Sequence, residues 1–410
     1  MGNSVDTYLE LIGLCLAPLD ESRAPLIENS ARKIEDWEGM LRLCGARYVS
    51  PLVFSRIREA NLEHLIPGEV RSRFHRLYLM TAIFNALRLN QSLTVNSILR
   101  DRGIKTLYLK GTTMVMARDY ADPGHRMFAD VDWLASKQDI EELRRAFSEA
   151  GDWRELPIHV MQEWEVTPWV NRWGTMVEVH WNLKPHNGVP STVSEGRLWS
   201  HAQEADYRGK KAWIPCMEDR LIQAAIHGTV HHTFDTSYLF ITMSDIAHLA
   251  GRRAGSFDWR RTVEELRVER MLEHVVVAME LAWELTRYKP LAEGLEVIKA
   301  EAPGLEVVTA PMVKALLRMV RKPWLFHSFY ERRLFAKKSF QEWTRYIFNG
   351  FNRRLFPGSA KPPSSTGEVV EVEGVISKAQ YKRKMWDADF LNYLLELYRF
   401  DRQINYKINL

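Results

Sequence analysis

The chain reads as an α+β protein, a small mixed β-sheet embedded between mainly α-helical regions. Three observations predict this. Residues 6–102 carry apolar stripes at helical spacing. Between Ile104 and Trp181 the period shortens to that of strands, with glycine and proline turns between the runs. Beyond Asn187-Gly188 the helical spacing returns.

At 410 residues the chain is long enough for two or three domains, or for one core with large helical additions. Its boundaries read as an N-terminal helical region (1–102), an α/β core (103–188) and a helical region packing on that core (189–300). A basic, aromatic helical region (301–356), a linker (357–378) and a C-terminal helix (379–410) follow. The N-terminal region opens on the stripe Tyr8, Leu9, Leu11, Ile12 and Leu16. It closes on a long helix over Arg71–Arg100 that ends at Gly103. In the core, Ile104–Leu109 reads as a strand, Thr113–Tyr120 as a short helix, and Ala121-Asp122-Pro123-Gly124 as a turn. Met127–Leu134 is a second strand, and Ser136 is placed to cap a helix over Lys137–Ala150. Glu165–Val170 and Thr175–Trp181 complete the strands, with Pro168 confining the former to an edge. Downstream helices are expected over Met217–Thr233, Ser244–Arg253, Val263–Arg287, Val307–Val320 and Trp386–Phe400.

Composition excludes several classes. A formal charge of +4 is small for this length and does not suit a nucleic-acid binder driven by bulk charge. Cys15, Cys44 and Cys216 are odd in number, scattered and without CxxC spacing, so neither a disulfide scaffold nor a zinc cluster is expected, and a reducing cytoplasmic setting is. No secretory signal pattern and no apolar run of about 20 residues is present, so no transmembrane segment is expected.

The chemistry concentrates between Leu107 and Trp181. Asp130 and Asp132 alternate along an apolar run, so a strand points both carboxylates to one face, and Glu178 sits in a second run of the same kind. Three carboxylates gathered at a sheet can hold Mg2+ or Mn2+, with all three as ligands and Glu178 able to serve as base. Lys110, Gly111 and Thr112, at a turn opening a helix, suit phosphate, and Arg126 offers a bidentate donor four residues before Asp130. His180 lies two residues after Glu178 on the same face, placed to orient a ligand or contact substrate. Asp-x-Asp on a strand is by itself most often a solvated face, and it is the combination that points to a site.

That combination resembles the uncharacterised nucleotidyltransferases of the polymerase-beta superfamily. The matching residues are Leu109-Lys110-Gly111, Arg126, Asp130-Val131-Asp132 and Glu178-Val179-His180-Trp181, with Ala46–Arg56 upstream and Glu218-Asp219, His227, His231 and Asp245 downstream. The wider superfamily has Gly-Gly or Gly-Ser where this chain has Gly111-Thr112. The resemblance, over about residues 40–250, implies a nucleotidyltransferase core using divalent metal. Such a core moves a nucleoside monophosphate from a triphosphate, such as ATP, to an acceptor, with release of pyrophosphate. The alternative is a non-catalytic nucleotide- or partner-binding module on the same fold.

Three further features complete the reading. On a helix His227 and His231 share a face. Packing between helices is the first account of them, lining a cleft the second, and zinc the third. Trp164, Trp169, Trp173 and Trp181 fall near the site in sequence, each a candidate for stacking or for core. Residues 318–354 interleave Lys and Arg with aromatics, a pattern suited to RNA, to an anionic surface, or to an ordinary amphipathic helix pair.

Overall fold

The computed structural model describes residues 5–156, 168–181, 183, 195–232, 234–252 and 257–321, with 392, 393, 395–397, 399 and 400. Five helices lead the chain: α1 (Val5–Leu16), α2 (Ala24–Ala31), α3 (Trp37–Ala46), α4 (Ser50–Glu59) and α5 (Gly68–Asp101). Strand β1 (Thr106–Tyr108), helix α6 (Lys110–Met116), β2 (Asp130–Ala135), α7 (Ile140–Glu149), β3 (Trp153–Glu155), β4 (Trp169–Asn171) and β5 (Met176–His180) follow. Then come α8 (Glu195–Ser200), β6 (Gln203–Tyr207), β7 (Lys210–Ile214) and α9 (Met217–Ile226). The chain continues through α10 (Thr236–Arg252), α11 (Trp259–Val268), α12 (Leu272–Thr286), α13 (Lys289–Glu301) and α14 (Glu306–Val320).

The seven strands form one mixed sheet in the order β3-β4-β5-β2-β1-β7-β6. The pair β1–β2 is antiparallel, whereas β2–β5 and β1–β7 are parallel. One sheet face is apolar: Tyr108, Val131, Trp133, Val177 and Val179 pack with Leu143 and Phe147 of α7 and with Leu89, Leu93 and Leu99 of α5. Phe147 stacks between Trp133 at 5.7 Å and Trp169 at 4.6 Å between ring centroids. Each such side chain contributes about 1.5–3 kcal/mol by leaving water. A one-residue slip of β2 would exchange this face for Asp130 and Asp132, so the aromatic packing holds the register that places the acids.

Leu107, Leu109 and Leu134, on the other face, join a second core cluster built mainly from α1–α4, α9, α10, α12 and α14. Helix α5, about 50 Å long for 34 residues, serves both. Val70, Phe74 and Tyr78 enter the helical cluster, and Leu89, Leu93, Val95 and Leu99 enter the sheet cluster.

The α+β architecture matches the sequence reading, and several elements differ in detail. The hairpin β6–β7 falls where the pattern reads as helical. Its strand Gln-Glu-Ala-Asp-Tyr is mostly polar edge, and its turn uses Arg208 and Gly209, both at positive φ, without the Asn-Gly or Asp-Gly signal. The run Val263–Arg287 is broken between α11 and α12, where Arg270 is left-handed. Ser136 makes no side-chain cap, because a 3-10 turn over Lys137–Asp139 intervenes before α7. Residues 165–167, Trp164, most of the basic aromatic segment and the linker lie outside the described residues. Tyr393, Leu397 and Phe400 of the expected last helix are buried. Among the described residues no helix is long and apolar enough to cross a membrane, and the three cysteines are free.

Candidate active site

The site is set by the pairing of β2 with β5. In that parallel register Asp132 stands opposite Glu178, Asp130 opposite Met176 and Leu134 opposite His180. Because side chains alternate, Asp130, Asp132, Glu178 and His180 all leave the sheet on the face away from the aromatic cluster. Ligand atoms of Asp132, Glu178 and His180 lie within 4.8 Å of one another. His180 Nε2 is 3.1 Å from Asp132 Oδ1 and 4.0 Å from Glu178 Oε2. Asp130, two residues along the strand, lines the same cavity.

Lys110 joins this group by an unusual path. Leu109 N–H donates to the Asp132 carbonyl at 2.9 Å, which extends the ladder one step past β1. The chain then turns through Lys110 at φ 52°, a left-handed conformation uncommon outside glycine. The Lys110 ammonium donates to Asp132 Oδ1 at 2.5 Å. Burial works to raise the Asp132 carboxyl, but Lys110 and then His180 overcome it and hold the group below the usual carboxylate range. Burial likewise opposes the Lys110 charge, and Asp132, Asp130 and Glu178 together raise it above its ordinary value. Asp130 moves the other way: burial and the adjacent Asp132 charge raise it, with Lys110 opposing.

The turn glycine has a packing role. A Cβ on Gly111 would meet Phe128 Cβ at 3.1 Å and both Arg126 guanidinium nitrogens at 3.2 Å. Arg126 itself is held by Asp245, with Nε to Oδ1 at 2.7 Å and Nη2 to Oδ2 at 2.9 Å, and it also donates to the Met127 carbonyl. Tyr120 Oη donates to the same Asp245 at 2.7 Å. Thr112 is buried and spends its hydroxyl on the Leu109 carbonyl at 2.7 Å.

Lys110, Gly111, Arg126 and the three acids line a cavity of about 630 Å3. Its polar wall carries Lys110, Gly111, Arg126, Asp130, Asp132 and Glu178. Across it α5 presents Leu77, Met80, Thr81, Phe84 and Arg88, spaced to form one helix face. Tyr48, His227, His232, Tyr238 and Ile241 close another side. Of the expected site residues, Thr112 and His180 stay behind the cavity wall, and the others reach it.

His227 and His231 are neighbours as expected, with ring centroids 6.1 Å apart, but of the two only His227 lines the cavity. Residues His227–His231 form a π-turn, so His227 faces His232, at 3.0 Å between Nε2 atoms. His232 stacks flat on Tyr238 at 3.6 Å. Burial, then the positive neighbours, keeps His227 well below its usual protonation range, so it is neutral. Of the expected pair, His227 lines the cavity, together with its neighbour His232, and His231 does not. Trp169 is core, Trp173 is exposed and Trp181 packs at the edge of the sheet cluster. Among the described residues no tryptophan lines the cavity.

Sequence reasoning gave Arg88, Tyr48, His232 and Tyr238 no role in the site. Arg88 carries no motif around it, and Tyr48 meets Tyr238, 190 residues on, only through helix packing. The i+5 geometry of a π-turn has no composition signal to reveal the His227–His232 pair.

An acidic pair across two adjacent parallel strands, backed by histidine and opening on a cavity with basic side chains, suits a divalent cation and a phosphate-bearing ligand. The chain belongs to the family described as uncharacterised nucleotidyltransferase, which matches residues 33–287. The match takes in every residue of this site. No curated protein and no solved structure matches the chain.

The donor set fits a hard divalent cation. Two carboxylates, Asp132 and Glu178, offer oxygens with His180 Nε2 beside them, and Asp130 lines the same cavity. The Lys110 ammonium already occupies a cation's position on Asp132.

Proposed function

We propose that the protein transfers a nucleoside monophosphate from a nucleoside triphosphate to an acceptor nucleophile, releasing pyrophosphate. The observation that carries this is the Asp132–Glu178 register, with Asp130 on the same face at the cavity wall. Asp130, Asp132 and Glu178 would hold Mg2+ or Mn2+. The metal would neutralise charge building on the α-phosphate and stabilise the leaving pyrophosphate.

The chain's own groups do the rest. Lys110, Gly111 and Arg126 form the phosphate side of the cavity, with Thr112 bracing the turn through Leu109. Lys110 pairs with Asp132 and keeps further N–H donors for a phosphate oxygen. His180 orients Asp132 from behind through its 3.1 Å contact. Where Asp130 and Asp132 suffice as ligands, Glu178 is free to take the proton of the acceptor as its nucleophilic atom attacks the α-phosphorus. The bond from the α-phosphorus to the bridging oxygen breaks, and that oxygen leaves with pyrophosphate.

A second reading has one observation in its favour. Asp132 already has Lys110 and His180 as partners, as suits a module that binds nucleotide without turnover. The two readings separate on incubation with each α-labelled triphosphate, Mg2+ and a panel of metabolite, glycan and peptide acceptors. Label transfer with stoichiometric pyrophosphate, abolished in Asp132→Asn, supports the enzyme. Nucleotide binding with no transfer to any acceptor supports the module.

A further inference from the structure

Three arginine or lysine side chains among the described residues line the cavity, namely Arg88, Lys110 and Arg126. Two are already matched: Lys110 by Asp132 at 2.5 Å and Arg126 by Asp245 at 2.7 Å. Arg88 is different. Its Nη1 donates to the Phe128 carbonyl at 2.8 Å, and its guanidinium lies 5.4 Å from the Phe84 ring centroid. It forms no ion pair with any described carboxylate.

A guanidinium has five N–H donors in a rigid fork. One is spent on Phe128 O, two residues before Asp130, which fixes the group at the entry to β2 beside the carboxylates. Burial pushes its pKa below the ordinary guanidinium range, with Asp130 opposing. A partly desolvated charge held against a cavity without an ion pair, supported only by the longer-range pull of Asp130, gains from an anion that arrives there. Lys110 and Arg126 already have carboxylates that offset their charge, whereas Arg88 spends one donor on a neutral carbonyl and keeps the rest of its fork to donate to an anion. Its fork suits two phosphate oxygens.

We infer that Arg88 is the principal protein anchor for the β- and γ-phosphates of the bound nucleotide. This rests on the nucleotidyltransferase reading above and adds to it a residue outside the motif-bearing segment. Arg88 touches substrate without joining the acids that surround the reacting phosphorus. The α5 face running from it through Phe84, Met80 and Leu77 then borders the rest of the ligand.

The test compares full-length wild type, Arg88→Lys and Arg88→Met. Calorimetry with Mg2+ measures affinity for ATP, GTP, CTP and UTP and for the matching monophosphates. For the nucleotide bound best, wild type should prefer triphosphate to monophosphate. Arg88→Met should weaken triphosphate binding at least about tenfold, about 1.4 kcal/mol, and change monophosphate binding less than about twofold. Arg88→Lys, which keeps charge without the fork and guards against a folding defect in the methionine variant, should fall between. Folded variants that keep the wild-type preference for triphosphate overturn the Arg88 assignment alone. So does equal loss of triphosphate and monophosphate binding. Wild type that binds none of the four triphosphates overturns the nucleotidyltransferase reading, and this inference with it.

Discussion

Replacing Asp245 with leucine removes the anionic partner from a guanidinium that is itself buried. Arg126 and Asp245 side chains are 8% and 6% exposed and share two hydrogen bonds. Loss of one partner from such a pair leaves an uncompensated buried charge, at a cost of about 3–5 kcal/mol. Tyr120 also loses an acceptor but keeps Ser244 Oγ at 2.8 Å, so its added penalty is small. Arg126→Met leaves Asp245 with only the neutral Tyr120 hydroxyl of these donors and falls in the same range. The double variant Arg126→Met/Asp245→Leu replaces both charges with apolar side chains of comparable bulk. Removing such a pair together is often close to neutral, so the double variant should lie within about 2 kcal/mol of wild type. The coupling energy is then at least about 4 kcal/mol, above the usual range for groups in contact. Urea denaturation followed by tryptophan fluorescence gives the four values. If the single-variant losses add to within about 0.5 kcal/mol, the pair is not the buried clamp described here.

Three other outcomes follow from the same geometry. Lys110→Met should destabilise the protein at pH 7 by about 2 kcal/mol, discounted because part of the lysine side chain is exposed. Asp132 is held below its ordinary value, so its contribution is complete above about pH 4 and is lost as pH falls through the folded value. The gap between variant and wild type should therefore narrow in acid, and a gap that is constant from pH 7 to pH 2 contradicts the pairing. Gly111→Ala should cost about 1–3 kcal/mol and weaken nucleotide binding, because Phe128 and Arg126 must yield to the new methyl group. An unchanged melting temperature would show that they give way freely. His227→Gln should leave the pH profile of activity unaltered between pH 5 and 8, since a neutral buried imidazole does not titrate there. A lost inflection would show that it does.

The carboxylate face was readable from alternation alone. Val131, Trp133, Val177 and Val179 are strongly apolar on one side of two short strands, which leaves Asp130, Asp132, Glu178 and His180 on the other. That these strands pair in parallel, with Asp132 opposite Glu178, depends on a crossover of 40 residues between Ala135 and Met176, and no local rule sets it. The Lys110-Gly111 turn was visible, but its mechanics were not. The lysine carries the positive φ and returns to Asp132, while the glycine makes room for Arg126. Arg126 suits phosphate by its chemistry, yet its partner Asp245 lies 119 residues away on a helix, and only folding joins them. The β6–β7 hairpin escaped because a polar edge strand has too little apolar alternation to separate it from a helix surface. Arg88 sits inside a long helix whose apolar residues point both to the core and to the cavity, so periodicity marks the helix but not the functional face.

The central claim is that acids from two neighbouring strands form one divalent-cation site at the wall of a nucleotide cavity. Electron paramagnetic resonance of Mn2+, titrated into the full-length protein with and without triphosphate, reads that site without needing the acceptor. Wild type should remove Mn2+ signal stoichiometrically, more tightly with triphosphate present, and Asp132→Asn and Glu178→Gln should each abolish the tight class while remaining folded. Equal Mn2+ binding by wild type and both variants would contradict the account.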